Sequence, residues 1–276
     1  MFTHKKTRRV GMKKAKIIEW QRFPSPHPTI RLYVVTYLND GLKIKGLAAL
    51  PEGKGPFPGF LYLRGGIKSV GMVRIARIIQ FASQGFVVMA PYYRGNQGGE
   101  GNEDFAGKDR TDAFAAFEVL KQFPKVDVNE LHVFGFSRGG PMALFTAIEY
   151  PEIRSVVTWG GVTDMAVTYE EREDLRRMMK RVIGGTPDKY PEEFEWRSPL
   201  YYCGELKAPI LCIHGMKDEN VSVEHTLKIE KRLKELGKPC ETWIYPEYTH
   251  YFPPRENRKI TYALCEWMKE QVKGAE

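Results

Sequence analysis

The stretch LHVFGFSRGGPMALFTAIEY, Leu131 to Tyr150, places a serine between two glycines where an apolar run changes period. Leu131, Val133 and Phe134 read as a short buried strand, and Met142, Ala143, Phe145, Thr146 and Ile148 follow at helical spacing. A strand that turns directly into a helix is the building unit of a parallel sheet, because the helix carries the chain back across the sheet. The pentad Gly135-Phe136-Ser137-Arg138-Gly139 suits the tightest form of that turn. Without a Cβ at either glycine, strand and helix cross closely while the serine takes a strained conformation. The strain holds the Ser137 hydroxyl up from the sheet edge, and the Arg138 N–H at the helix start points where an oxyanion would form. An ordinary strand-to-helix turn would use the same residues, so partners elsewhere in the chain decide between the readings.

A hydroxyl is a poor nucleophile near neutral pH and needs a base, and the base needs a carboxylate to fix its tautomer. Downstream, APILCIHGMKDENV gives a strand at Ile210 to His214 and then Asp218, on the sheet edge that the elbow occupies. A helix from Ser222 to Leu236, the stop Gly237, a strand at Glu241 to Tyr245 and the loop YPEYTHYF with His250 complete the order Ser, Asp, His. Asp164, after the strand Ser155 to Trp159, is the alternative acid; its other reading is a cap for the helix that follows. His214 competes with His250, but its place at a strand end before Gly215 suits a brace for the Asp218 turn. His4 and His27 lie near the N-terminus, His132 within a strand and His225 on a helix surface, none at a catalytic position.

Strands alternate with helices through most of the chain, the pattern of an α/β fold with a mostly parallel sheet covered on both faces. Supporting helices are expected over Met72 to Gln84, stopped by Gly85, and over Ile260 to Val272. Two β-runs, Thr29 to Leu38 and Leu42 to Leu50, meet through Asn39-Asp40-Gly41, a hairpin signal. At 276 residues one domain is expected over 29–276, behind a basic N-terminal segment 1–28. Residues 162–200 interrupt the alternation and read as a short helical cap. Within it Tyr169, Met178, Met179, Phe194 and Trp196 either line a pocket or pack the cap onto the domain. Trp159, at a strand end, is the better candidate for the substrate pocket.

The net charge of +8 sits at the N-terminus, where Lys5, Lys6, Arg8, Arg9, Lys13, Lys14, Lys16 and Arg22 face Glu19 alone. That placement argues against nucleic acid as a partner of the domain and reads as a solvated tail, anchored in part by Ile17, Ile18, Trp20 and Phe23. No apolar run long enough to span a membrane is present, and no apolar stretch follows the basic lead-in as a secretory signal requires. Cys203, Cys212, Cys240 and Cys265 are widely spaced and read as the reduced thiols of a cytoplasmic protein. No histidine motif for a metal is present, and a serine triad calls for no metal or cofactor.

Five ordered segments together carry a family resemblance: LYLRGG, APYYRGNQGGEG, DVNELHVFGFSRGG, IGGTPDKYPEEFEWRSPL, and HGMKDENV with the later YTHYF. The region from about Pro58 to Val272 resembles the catalytic domain of the prolyl oligopeptidase family, within the α/β-hydrolase superfamily. The resemblance implies Ser137 as nucleophile, Asp218 as orienting acid and His250 as general base. The oxyanion hole is expected from the Arg138 N–H and a main-chain N–H of the Arg64 to Ile67 loop that holds Gly65 and Gly66, with the Arg64 guanidinium or Tyr62 as alternatives for the second donor. Members commonly carry His or Tyr before the Gly-Gly pair; here the residue is Arg64, expected either to bind a substrate carboxylate or to order the loop through a salt bridge. Larger members add a β-propeller, for which this sequence has no repeats. The resulting expectation is a serine hydrolase, a carboxylesterase on small esters, with a small-peptide peptidase as the alternative. A catalytically inactive binding protein acting through the basic N-terminus is the second alternative. Oligomeric state is not encoded in any motif.

Overall fold

The computed structural model describes residues 15–273, so His4 and the basic residues from Lys5 to Lys14 lie outside the described residues. The strands are β1 (Lys16–Phe23), β2 (Ile30–Asn39), β3 (Leu42–Pro51), β4 (Phe57–Leu63), β5 (Val87–Pro91), β6 (Val126–Phe136), β7 (Ser155–Trp159), β8 (Ile210–Gly215) and β9 (Cys240–Tyr245). The helices are α1 (Ile75–Ala82), α2 (Arg110–Leu120), α3 (Gly139–Glu149), α4 (Met165–Glu171), α5 (Glu173–Ile183), α6 (Pro191–Trp196), α7 (Glu224–Glu235) and α8 (Pro254–Lys273). All nine strands form one sheet in the order β1-β2-β3-β5-β4-β6-β7-β8-β9. The strands from β5 to β9 in that order run parallel, and β1 to β3 add an antiparallel wing.

Because successive side chains of a strand point to opposite faces, each central strand feeds two cores. Leu61 and Val133 join Phe117, Met142 and Ile229 under α2, α3 and α7. Their neighbours Phe60 and Phe134 join Phe81 and Leu264 under α1 and α8. The expected β2–β3 hairpin forms with Asn39 paired to Leu42 across Asp40 (φ +51°) and Gly41 (φ +77°), both left-handed as a two-residue hairpin turn requires. The strand order reverses at β4, so the chain leaves the C-terminal ends of β4 and β6 in opposite directions. A crevice at such a reversal is where doubly wound sheets carry their ligands.

Several elements differ from the sequence expectation, among them α8, expected from Ile260 and beginning at Pro254. The helix expected from Met72 begins at Ile75, with Met72 and Val73 left in the loop that leads to it. The segment expected as a basic tail supplies β1, paired to β2 from Lys16↔Leu38 to Phe23↔Leu32. A register shift between Ile17 and Glu19 turns Ile17 and Trp20 to the same core, while Phe23 reaches the opposite one. Trp20 packs at a tilt against Tyr33 and edge-on to Phe123, each with ring centroids 4.7 Å apart. The bulge breaks the alternation by which a strand is recognised, and exposed Lys16, Glu19, Gln21 and Arg22 keep this edge from pairing with another chain.

Between β7 and β8 lies an insertion built of α4, α5, α6 and two short 3₁₀ turns. Its Met165, Tyr169, Met179, Ile183, Phe194 and Leu200 are buried and continue the core under α2, α3 and α7, so these apolar residues pack the insertion onto the domain. His225, expected on a helix surface, is instead fully buried and latches the insertion. Its Nδ1 accepts from the N–H groups of Thr163 (3.1 Å) and Asp164 (3.3 Å), which leaves the ring proton on Nε2, 3.6 Å from the Glu171 carboxylate. Glu171 also accepts from the Ser222 hydroxyl and N–H. The amphipathic spacing of α7 hid this, because its helix start faces the insertion rather than water.

His225→Ala leaves two buried N–H groups without their acceptor and is expected to cost about 2–3 kcal/mol, measured by urea unfolding. Burial alone would raise the Glu171 carboxyl, but hydrogen bonds from His225 and Ser222 hold it down, to about 2. A depressed carboxylate stabilises the fold above its usual value of 4.5, and that stability is lost as pH falls through the folded value. The stability gap between wild type and Glu171→Gln should therefore be constant above about pH 5 and close as pH falls toward about 2, read from urea midpoints.

Candidate active site

Ser137 leaves β6 with φ +57°, a left-handed conformation that is uncommon outside glycine. Its N–H donates to the Trp159 carbonyl (3.0 Å), and its carbonyl accepts from Gly140 (2.8 Å) and Val162 (3.1 Å). Three missing side chains make room for it. A Cβ on Gly135 would overlap the Gly139 carbonyl oxygen, and one on Gly139 would overlap that of Leu63. A Cβ on Gly65 would stand 2.7 Å from Ser137 Cβ and 2.9 Å from the Phe136 carbonyl oxygen. Thus the Gly65-Gly66 loop after β4 lies directly against the serine, and Arg138 N–H opens α3 beside it.

The loop after β8 brings Asp218 to His250, whose Nδ1 is 2.7 Å from Asp218 Oδ2. Asp218 Oδ1 accepts from the N–H groups of Asn220 and Val221, both at 2.9 Å. Burial raises the Asp218 carboxyl, but hydrogen bonds from His214, His250 and the Val221 N–H outweigh it and hold the group well below the usual carboxylate range. His214 packs beneath this turn, with Nε2 2.8 Å from the Val221 carbonyl and 3.4 Å from Asp218 Oδ2, and Nδ1 2.8 Å from Thr226 Oγ1. The His250 ring stands 4.7 Å from Phe136 and 5.0 Å from Tyr251, whose side chain is 67% exposed. Gly160 (φ +53°) fits under the pair; a Cβ there would lie 3.1 Å from both His250 Nδ1 and Asp218 Oδ2.

The structure joins Asp218 to His250 and Gly65 to Ser137, and these residues and Arg138 all follow strand ends on one edge of the sheet, with Gly66 (φ +66°) turning the loop back. Asp164 is not part of this group: it caps α4, accepting from Ala166 and Val167 N–H. Two pocket expectations are corrected. Arg64 is 1% exposed and its guanidinium is spent on the Gly65, Val70 and Tyr92 carbonyls and on Glu103, so it has no donor to offer a substrate carboxylate. Trp159, also 1% exposed, packs edge-on to Phe252 at 4.8 Å inside the core. The rings that lie against His250 are instead Phe136 and Tyr251. Each adjoins a singled-out residue in the chain, which is the one sequence signal that marks them.

The model of the prolyl oligopeptidase family matches residues 73–275. The chain is 62% identical over 256 residues to the "Uncharacterized peptidase YtmA" of Bacillus subtilis, covering 92% of this chain and 100% of that one. Among solved structures, an acylaminoacyl peptidase of Pyrococcus horikoshii superposes with a TM-score of 0.74 at 19% identity. That match takes in 97% of this chain but 51% of the peptidase, so the chain spans about half of its length. Acetyl xylan esterase 1 of a Thermoanaerobacterium species superposes with a TM-score of 0.68 at 16% identity, covering 91% of this chain and 87% of the esterase. These likenesses carry the α/β-hydrolase fold, and no propeller accompanies it, since every strand among the described residues belongs to the one sheet. With the matched model and the 62% identical relative, this chain is a hydrolase that belongs to the prolyl oligopeptidase family.

Proposed function

We propose that this hydrolase acts by two-step acyl transfer, with Ser137 as nucleophile, His250 as general base and Asp218 as the acid that orients the imidazole, and that its substrates are small esters. The observation that carries this reading is the 2.7 Å bond from Asp218 to His250 Nδ1, on the same edge as a serine held at φ +57°. A buried carboxylate that stays ionised favours the imidazolium formed when His250 takes the serine proton. Negative charge on the attacked carbonyl oxygen is received by the N–H of Arg138 and by the Gly65/Gly66 loop. His250 then returns the proton to the leaving alcohol, and water attacks the acyl-enzyme by the same route.

The preference for esters rests on access. The insertion of α4 to α6 adjoins the site, its Arg172 donating to the Asn220 carbonyl (3.0 Å) in the Asp218 loop, and among the described residues no larger element encloses it. The acetyl xylan esterase that superposes here is likewise covered over most of its length by this one domain. Hydrolysis of small peptides is the second reading, favoured by the peptidase names of the 62% identical relative and of the P. horikoshii structure. Four unpaired cysteines suit a reducing compartment such as the cytoplasm.

Ser137→Ala should abolish labelling by a fluorophosphonate probe and lower kcat by about 10⁴-fold or more. On wild type, p-nitrophenyl acetate is expected to be turned over with a higher kcat/KM than aminoacyl-p-nitroanilides. Faster anilide turnover would replace the esterase reading with the peptidase one. Gly65→Ala, which drives a methyl into Ser137 Cβ, should lower kcat by about 10²-fold. Its thermal midpoint should stay within a few degrees of wild type, a split that kinetics and differential scanning calorimetry together would check.

A further inference from the structure

The two N–H sources of the proposed oxyanion hole come from different strands: Arg138 follows β6, and the Gly65-Gly66 loop follows β4. One carboxylate ties them together. Glu103, in the loop between β5 and α2, is 2% exposed at its side chain. Its Oε1 accepts from Arg64 Nη2 (3.1 Å) and, in a very short contact, from Arg138 Nη2. Its Oε2 accepts from the Lys68 N–H (2.6 Å). The carboxylate is thus bound to the residue before Gly65-Gly66, to a residue just after that turn, and to the residue that follows Ser137.

The surroundings leave it little freedom. The Tyr93 ring lies 5.0 Å from both guanidinium carbons, and its hydroxyl reaches the Arg64 carbonyl (3.4 Å). Arg138 is also held by Asp109 (3.0 Å). Two buried guanidinium groups beside one another would repel if the carboxylate between them were neutral, and burial already lowers the Arg64 guanidinium. Stabilisation of an oxyanion depends on donors already set at hydrogen-bonding distance from where the charge forms, and small misplacements are costly in rate.

We infer that Glu103 is a positioning residue for the oxyanion hole, its carboxylate setting the distance between the Arg138 N–H and the Gly65-Gly66 loop; this role rests on the acyl-transfer reading above. The β4–β6 pairing ends at Leu63 and Gly135, and Glu103 bridges the two loops beyond it. Glu103 touches no reacting atom and acts through Arg64, Lys68 and Arg138.

The test compares wild type, Glu103→Gln and Glu103→Asp, with end-point labelling by a fluorophosphonate to count competent sites. Per labelled site, Glu103→Gln should lose about tenfold to a hundredfold in kcat on p-nitrophenyl acetate. KM should move by no more than about threefold, the pattern of an interaction felt only in the transition state. Affinity for a trifluoromethyl ketone, which forms a tetrahedral oxyanion on serine, should fall by the same factor as kcat. Glu103→Asp keeps the charge between the arginines but lacks the reach to hold both Arg138 and the Lys68 N–H. It should fold where Glu103→Gln does not, and still lose kcat. Any folded Glu103 variant with wild-type kcat and ketone affinity per site overturns the positioning role while leaving the acyl-enzyme reading intact. A wild type that neither labels nor hydrolyses overturns both.

Discussion

A non-glycine residue in the left-handed region costs the backbone about 1–2 kcal/mol, and Ser137 stays there because the sheet holds it on three sides. Trp159, at the end of β7, accepts its N–H; Gly140 and Val162 bind its carbonyl; and Gly65, at the end of β4, closes over its side chain. Apart from Gly140, in the first turn of α3, each of those anchors sits at the C-terminal end of a neighbouring strand or in the loop that follows. The turn is therefore set by the register of β4, β6 and β7, with Leu63 opposite Gly135 and Phe136 opposite Trp159. A slip of one residue in either pairing would remove the hydrogen bond or drive a side chain into it.

Charge is managed differently on the two sides of that turn. Around Asp218 a single buried carboxylate gathers two histidines and two N–H groups, so its charge is met from the end of β8, from its own loop and from the loop after β9. On the other side, arginines and carboxylates alternate: Arg64 and Arg138 share Glu103, Arg138 also binds Asp109, and Arg94 binds Asp112 and Asp40, with Asn39 and Thr111 completing the shell. Buried ion pairs of this kind add little net stability compared with an apolar replacement. What they supply is direction, because a guanidinium fork fits a carboxylate in few orientations.

The parts of the fold legible in the sequence are those whose signal is local. The Ser137 pentad, the Asp40-Gly41 hairpin and the order of strands past Ile210 each depend on residues close in the chain, and the sheet contains them. β1 was hidden because its bulge puts Ile17 and Trp20 on one core and Phe23 on the other, which defeats a period of two. Arg64 and Trp159 read as pocket residues because both stand near strand ends, yet position along a strand does not tell whether a side chain turns to the site or to the interior. His225 and Glu103 carry no spacing signal at all. Their partners lie 62 residues away at Thr163 and 39 and 35 residues away at Arg64 and Arg138, and only the folded sheet brings them together.

The reversal of strand order at β4 has one more consequence. The candidate catalytic and oxyanion residues all issue from the ends of β4, β6, β8 and β9, with Gly160 after β7, so the antiparallel wing of β1, β2 and β3 contributes none. It is joined to the rest by its pairing with β5 and by a buried shell in which Tyr37 donates to the Asp112 carbonyl and Asn39 to the Asp112 and Thr111 side chains. The molecule is thus divided into a part whose geometry is fixed by chemistry and a part answerable only to stability. Descendants of such a chain can lengthen, recharge or decorate the outer edge at β1, and with it their choice of neighbours, as long as the Asn39 contact to Asp112 is kept.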